Sequence, residues 1–123
     1  MANYVTNGGL AGITTALSSI VTYLAVGTSA TDPAKTDTAL GAVVTGYGLD
    51  AGAATVSTPT TTVTGDTISL TKTWTVTTGT KALAEIGAQT SGGTLYAHAL
   101  LSSVKNVGIG DTFTGTLNLI FTN

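Results

Sequence analysis

Few side chains in this 123-residue sequence have the types needed for acid–base, nucleophilic or metal chemistry. His98 is the only histidine, Glu85 the only glutamate, and the other acids are Asp32, Asp37, Asp50, Asp66 and Asp111. Cysteine is absent, which removes thiolate nucleophiles, thiolate ligands and disulfides. One histidine rules out a multi-histidine metal site within a single chain, and one glutamate rules out a glutamate pair for glycoside hydrolysis. The serines lie in stretches that read as strands and loops, without the strand–turn–helix setting of a nucleophile elbow. Gly41, Gly46, Gly48 and Gly52 are not followed by a lysine at phosphate-loop spacing. His98 falls in an alternating stretch with Tyr96 and Leu100 on its face, and is expected to be a packed or surface residue. The expectation is therefore no enzyme, no catalytic residue and no cofactor.

Two aspartates stand in a repeated setting, Gly65-Asp66-Thr67 and Gly110-Asp111-Thr112. They could be calcium ligands together with Asp50 or Asp37, or they could be turn residues. Calcium takes roughly six to eight oxygens, usually from carboxylates close in sequence. These acids are isolated, and each stands where a turn is needed. Turns are the expectation, with no metal site.

The elements behind these residues are two-faced. From Thr67 to Thr77, Ile68, Leu70, Trp74 and Val76 point one way, while Thr67, Ser69, Thr71, Thr73, Thr75 and Thr77 point the other. Such alternation is the period of a pleated strand. Phe113, Leu117, Leu119 and Phe121 repeat the scheme against Thr114, Thr116, Asn118 and Thr122. Trp74 is expected in the core. Lys72 breaks the apolar face, and reads either as an edge amine reaching solvent past the Trp ring or as a contact to another subunit, with a carboxylate such as Glu85.

Around these strands, Leu10, Ile13, Leu17 and Ile20 have helical spacing, with Thr6 or Asn7 as N-cap. Ile20 to Val26 reads as a buried strand ended by Gly27. Thr28 to Leu40, with Asp32-Pro33, Lys35 and Asp37, is the longest polar break and the expected mobile loop. Val43 to Leu49 and Ala53 to Val63 read as strands, the second bent at Pro59. Lys81 to Gly87 and Thr94 to Leu101 follow, joined by a turn at Ser91-Gly92-Gly93, with another turn at Asn106 to Gly110. The fold class is all-β: a single antiparallel β-sandwich domain over residues 1–123, jelly-roll-like, with one short N-terminal helix.

Charged residues make up only 8% of the chain, against about 25% in ordinary domains. There is no arginine, and four lysines oppose six carboxylates for a net charge of −2. Nucleic acid is excluded as a partner, because neutralising phosphates needs clustered cations. The apolar run Leu10 to Val26 is too short and too rich in Thr and Ser for a membrane span. No signal-peptide pattern opens the chain, so assembly in the cytoplasm is expected. A surface this poor in charge suits coverage by neighbouring subunits.

Several short motifs then occur in a telling order: Tyr23-Leu24-Ala25-Val26-Gly27, a Pro-containing loop, Thr38-Ala39-Leu40-Gly41, Ala84-Glu85-Ile86-Gly87, Ser91-Gly92-Gly93-Thr94-Leu95-Tyr96-Ala97 and Gly110-Asp111-Thr112. In this order and spacing the chain, from about Asn3 to Thr122, resembles small virion structural proteins of tailed bacteriophages, of the tail-fibre-like and capsid decoration (cement) type. More distantly it resembles the N-terminal domain of tail-collar fibre proteins. It departs from them at Ala42-Val43-Val44-Thr45, where an acid and an arginine are usual, and at Ala88-Gln89-Thr90, where apolar residues are usual.

The resemblance implies a virion component that binds the major capsid protein and copies of itself, as a dimer or trimer. Because the sequence stops after its last strand, a decoration protein is expected before a tail or collar fibre adaptor. A carbohydrate-binding module using Trp74, Tyr47 and Tyr96 is the third reading. Residues 1–6 read as an N-terminal arm or a disordered tail. The candidate subunit-interface residues are Asn3, Tyr4, Val5 and Lys72.

Overall fold

A computed structural model describes residues 3–123. The chain runs through helix α1 (Asn7–Ser18) and strands β1 (Tyr23–Gly27), β2 (Gly52–Ala53), β3 (Thr55–Ser57), β4 (Thr67–Thr75), β5 (Thr80–Gln89), β6 (Leu95–Gly108) and β7 (Thr112–Ile120). The strands form two antiparallel sheets, a four-stranded one ordered β2-β1-β5-β6 and a three-stranded one ordered β3-β4-β7. This is the all-β sandwich with one short helix that the alternation predicted.

The apolar stripes meet in one core. Ile68, Leu70, Trp74 and Val76 pack with Leu24, Val26, Leu83, Ile86 and Ala88 from the other sheet. Burying each large aliphatic side chain contributes about 1.5–3 kcal/mol, so this layer holds the sheets together. Trp74 lies beside Phe113, its partner in register, with ring centroids 5.8 Å apart. Its indole N–H donates to the Asp50 carbonyl at 2.9 Å, so the buried ring carries no unmet donor. On the opposite face, Thr71 pairs with Thr116 and Thr73 with Thr114 through hydroxyl hydrogen bonds of 3.1 and 2.7 Å.

Four expectations need correction. The helix forms with Thr6 as its cap, the hydroxyl accepting from Gly9 N at 3.1 Å, but it buries Leu10 and Thr14, not Ile13 and Ile20. Thr14 tolerates burial because its hydroxyl donates to the Leu10 carbonyl one turn back. Val43 to Leu49 is not a strand. Gly46, Tyr47 and Gly48 all have left-handed φ (79°, 62° and 78°), which no strand accepts, and only Val43 bridges to Gly27. Ala53 to Val63 divides at Ala54 into β2 in one sheet and β3 in the other. Finally, β6 runs on through Asn106 to Gly108.

A bulge in β6, opposite Ala84 of β5, decides what the first sheet presents. Leu83 pairs with Lys105 but Glu85 with Leu100, so residues 101–104 of β6 stand against Ala84 alone. Across this irregularity Leu83 and Ile86, three apart, both enter the core. Bulges re-aim side chains in this way. Here Glu85 is turned to the outer face, opposite Gly27 of β1.

Candidate functional site

The outer face of the four-stranded sheet is roofed by the segment that follows β1. Leu40 seats over Gly87, where a Cβ would stand 2.7 Å from Leu40 Cδ2. Beneath this roof Glu85 is buried completely. Its Oε2 accepts the Ser29 and Ala42 backbone N–H groups at 3.0 and 2.8 Å, and its Oε1 accepts Gly41 N–H at 2.8 Å. His98, on β6 opposite Gly87, places Nε2 2.8 Å from Glu85 Oε1 and Nδ1 2.8 Å from Asp37 Oδ2. Asp37 also accepts Ala34 N–H at 2.8 Å. The result is a chain, Asp37–His98–Glu85, running from the loop into the sheet.

Electrostatics favour the ionised acids. Burial pushes the Glu85 carboxyl up, but the Ala42, Gly41 and Ser29 amides and the His98 contact outweigh it and hold it below its ordinary value. The Ala34 amide, then His98, holds Asp37 below its own. Both ring nitrogens of His98 lie 2.8 Å from a carboxylate oxygen, one from Asp37 and one from Glu85. Every side-chain nitrogen and oxygen buried here has a partner.

Chemically, this arrangement is a fastener. A general base needs a free ring nitrogen facing a substrate, and both nitrogens of His98 are taken up by carboxylates. The loop expected to be mobile is the one fastened. Two glycines let it approach: a Cβ on Gly27 would run into the Glu85 carboxylate and the Ala42 carbonyl, and one on Gly41 would stand 2.6 Å from Ser29 Oγ. Beside the chain lies a polar recess of about 140 Å³ lined by Lys35, Asp37, Tyr96 and His98.

Asp66 fastens a second loop. It is buried, and its carboxylate accepts the backbone N–H groups of Thr61, Thr62 and Val63 and the Thr67 hydroxyl. The Val63 and Thr61 amides hold its carboxyl far below the ordinary range. Its oxygens are spent on backbone, as expected of a turn residue. Asp111 likewise closes the β6–β7 turn by accepting Gly108 N–H at 2.8 Å.

The aromatic residues of the sugar-binding reading are not assembled into a platform. Trp74 is 3% exposed in the core. Tyr47 packs on Gly79 with the Lys81 ammonium 4.3 Å from its ring centre, at the start of β5. Tyr96 is the second residue of β6, beside the far end of β5.

Among the candidate interface residues, Asn3, Tyr4 and Val5 are exposed, Tyr4 by 80%, and Asn123 Nδ2 donates to the Val5 carbonyl. Met1 and Ala2 of the expected arm lie outside the described residues. Lys72 is half-buried on the middle strand of its sheet, not on an edge strand, with its ammonium 5.4 Å from the Trp74 ring centre. The pairing of Lys72 with Glu85 of another subunit is overturned, because Glu85 is enclosed in its own fold.

Several motifs that carried the resemblance meet here: Gly27 and Gly41 lie against the buried Glu85 carboxylate, and Leu40 and Leu95 lie against Gly87. Sequence reasoning missed that link. The available signal was the lone glutamate inside the otherwise uncharged stretch Ala82-Leu83-Ala84-Glu85-Ile86-Gly87. Compared with protein-family models, curated proteins and solved structures, the chain matches none.

Proposed function

We propose that this protein is a non-enzymatic bacteriophage virion component, a decoration (cement) protein that stabilises the head by binding across major capsid protein subunits. One observation carries the reading: the only histidine, the only glutamate and two of the aspartates are spent on fastening loops. Glu85, His98 and Asp37 fasten the loop after β1, and Asp66 fastens the loop before β4. What faces outward is a charge-poor surface of threonine hydroxyls and scattered apolar side chains, including Tyr4, Val5, Ile109 and Ile120. Such a surface acts by being covered, and loops held down in this way present a fixed shape to a partner. The order of the sequence motifs supports placing that partner in a phage virion. Among the described residues no helix is long and apolar enough to cross a membrane.

Add-back to heads lacking the protein tests the reading. Saturable binding to the heads, with a rise in their disruption temperature, is the expected result. Binding confined to tails or collars would replace the decoration role with that of a fibre adaptor.

A further inference from the structure

Sandwich edges are open hydrogen-bonding rows, and proteins normally blunt them by shortness, charge, proline or bulges. Three of the four edges here are blunted. β2 has two residues and β3 three. β6 carries the four-residue bulge at 101–104, followed by Lys105. The fourth edge, β7, has none of these devices. It runs nine residues, Thr112 to Ile120, in unbroken register with β4, and contains no charge and no proline. Among the described residues no other segment hydrogen-bonds to its outer side.

We propose that β7 is an assembly edge, paired antiparallel with β7 of a second copy of this chain to make one continuous six-stranded sheet. This holds independently of the virion reading. An unpaired strand edge demands another strand, and the ends of β7 indicate which one. Ile109, just before the strand, and Ile120, its last residue, are the two most exposed large aliphatic side chains described, at 72% and 54%. A two-fold axis at Thr116 sets Thr114 against Asn118 of the second copy and Thr112 against its Ile120. Each Ile120 then lies at the Ile109 end of the other strand, so one contact made twice covers all four isoleucines, as an isologous interface requires. With no charge on the strand, nothing repels at the seam.

Sedimentation of the full chain tests this, with Thr116→Lys at the axis and Thr71→Lys as control. Thr71 is the cross-strand partner of Thr116, so both variants lose the same hydroxyl pair, but Thr71 lies one strand inward. The expected result is a wild-type dimer weakened at least about tenfold by Thr116→Lys and little by Thr71→Lys. Because the chain has no cysteine, Thr116→Cys adds a readout of register. Directly paired strands bring the two Cα atoms to about 4.5–5.5 Å, within disulfide reach, so Thr116→Cys should cross-link on mild oxidation and Thr71→Cys should not. A wild-type monomer or trimer, a dimer indifferent to Thr116→Lys, or a Thr116→Cys protein that fails to cross-link would overturn the proposal.

Discussion

Glu85 and His98 sit diagonally on neighbouring strands and share a hydrogen bond of 2.8 Å, with the glutamate side chain wholly enclosed. The glutamate reaches that position through a bulge, and the histidine continues the contact to Asp37 in the loop above. A sheet and the loop covering it are thereby joined by ionisable groups.

The first consequence concerns stability. Glu85→Gln keeps the shape but turns an amide N–H₂ toward backbone N–H groups that need an acceptor. We expect a loss of about 2–4 kcal/mol, read by urea unfolding. Gly27→Ala forces a methyl group against the same carboxylate and should cost about 1–3 kcal/mol. The double variant should lose less than the sum, because both changes disturb one contact.

Acid should unfold the protein, and the sign follows from the lowered carboxyl groups. Asp66, Asp37 and Glu85 all ionise more readily in the fold than at their ordinary values of 3.8, 3.8 and 4.5. Their stabilisation is complete above those values and is lost as pH falls through the lower folded ones. Thermal unfolding should thus change little from these groups between pH 6 and about 5 and drop steeply below about 4. Asp66→Asn should make that acid limb shallower.

Loop fastening can be read by proteolysis, since Lys35 offers a tryptic site within the fastened segment. His98→Ala removes the link between Asp37 and Glu85. Cleavage after Lys35 should accelerate by about tenfold or more, while amide exchange in β4 and β7 stays slow. Equal acceleration of both would mean that the histidine supports the whole fold and not the loop alone.

Trp74 gives an optical check on the sugar-binding alternative. A ring buried beside Phe113 should emit at short wavelength and resist acrylamide quenching, and glycans should leave its emission unchanged. Glycan-dependent quenching would revive that alternative.

Much of the fold was legible because period-two alternation is a local signal. β4 and β7 announced themselves through Thr and apolar residues in turn, and Trp74 lies in the core where its face placed it. Misreadings came where a non-local partner or an unusual backbone decided the outcome. Leu10 and Ile13 look alike in a helical stripe, yet of the two only Leu10 is buried. Tyr47 reads as a strand residue, but flanking glycines carry it into a left-handed turn. The candidate site was the least legible part. Asp37 and His98 lie 61 residues apart, and no periodicity links a loop aspartate to a strand histidine. Counting single acids one by one showed what they could not do, but not that they would meet.

The central claim, the proposed virion structural role on the head, is tested most directly by the copy number and position of this protein in purified phage particles. Quantitative mass spectrometry with cryo-electron microscopy would read both. The account requires hundreds of copies spread over the head, with the sandwich seated across joints between major capsid subunits. Absence from the particle, or a dozen or so copies confined to the tail, would contradict it.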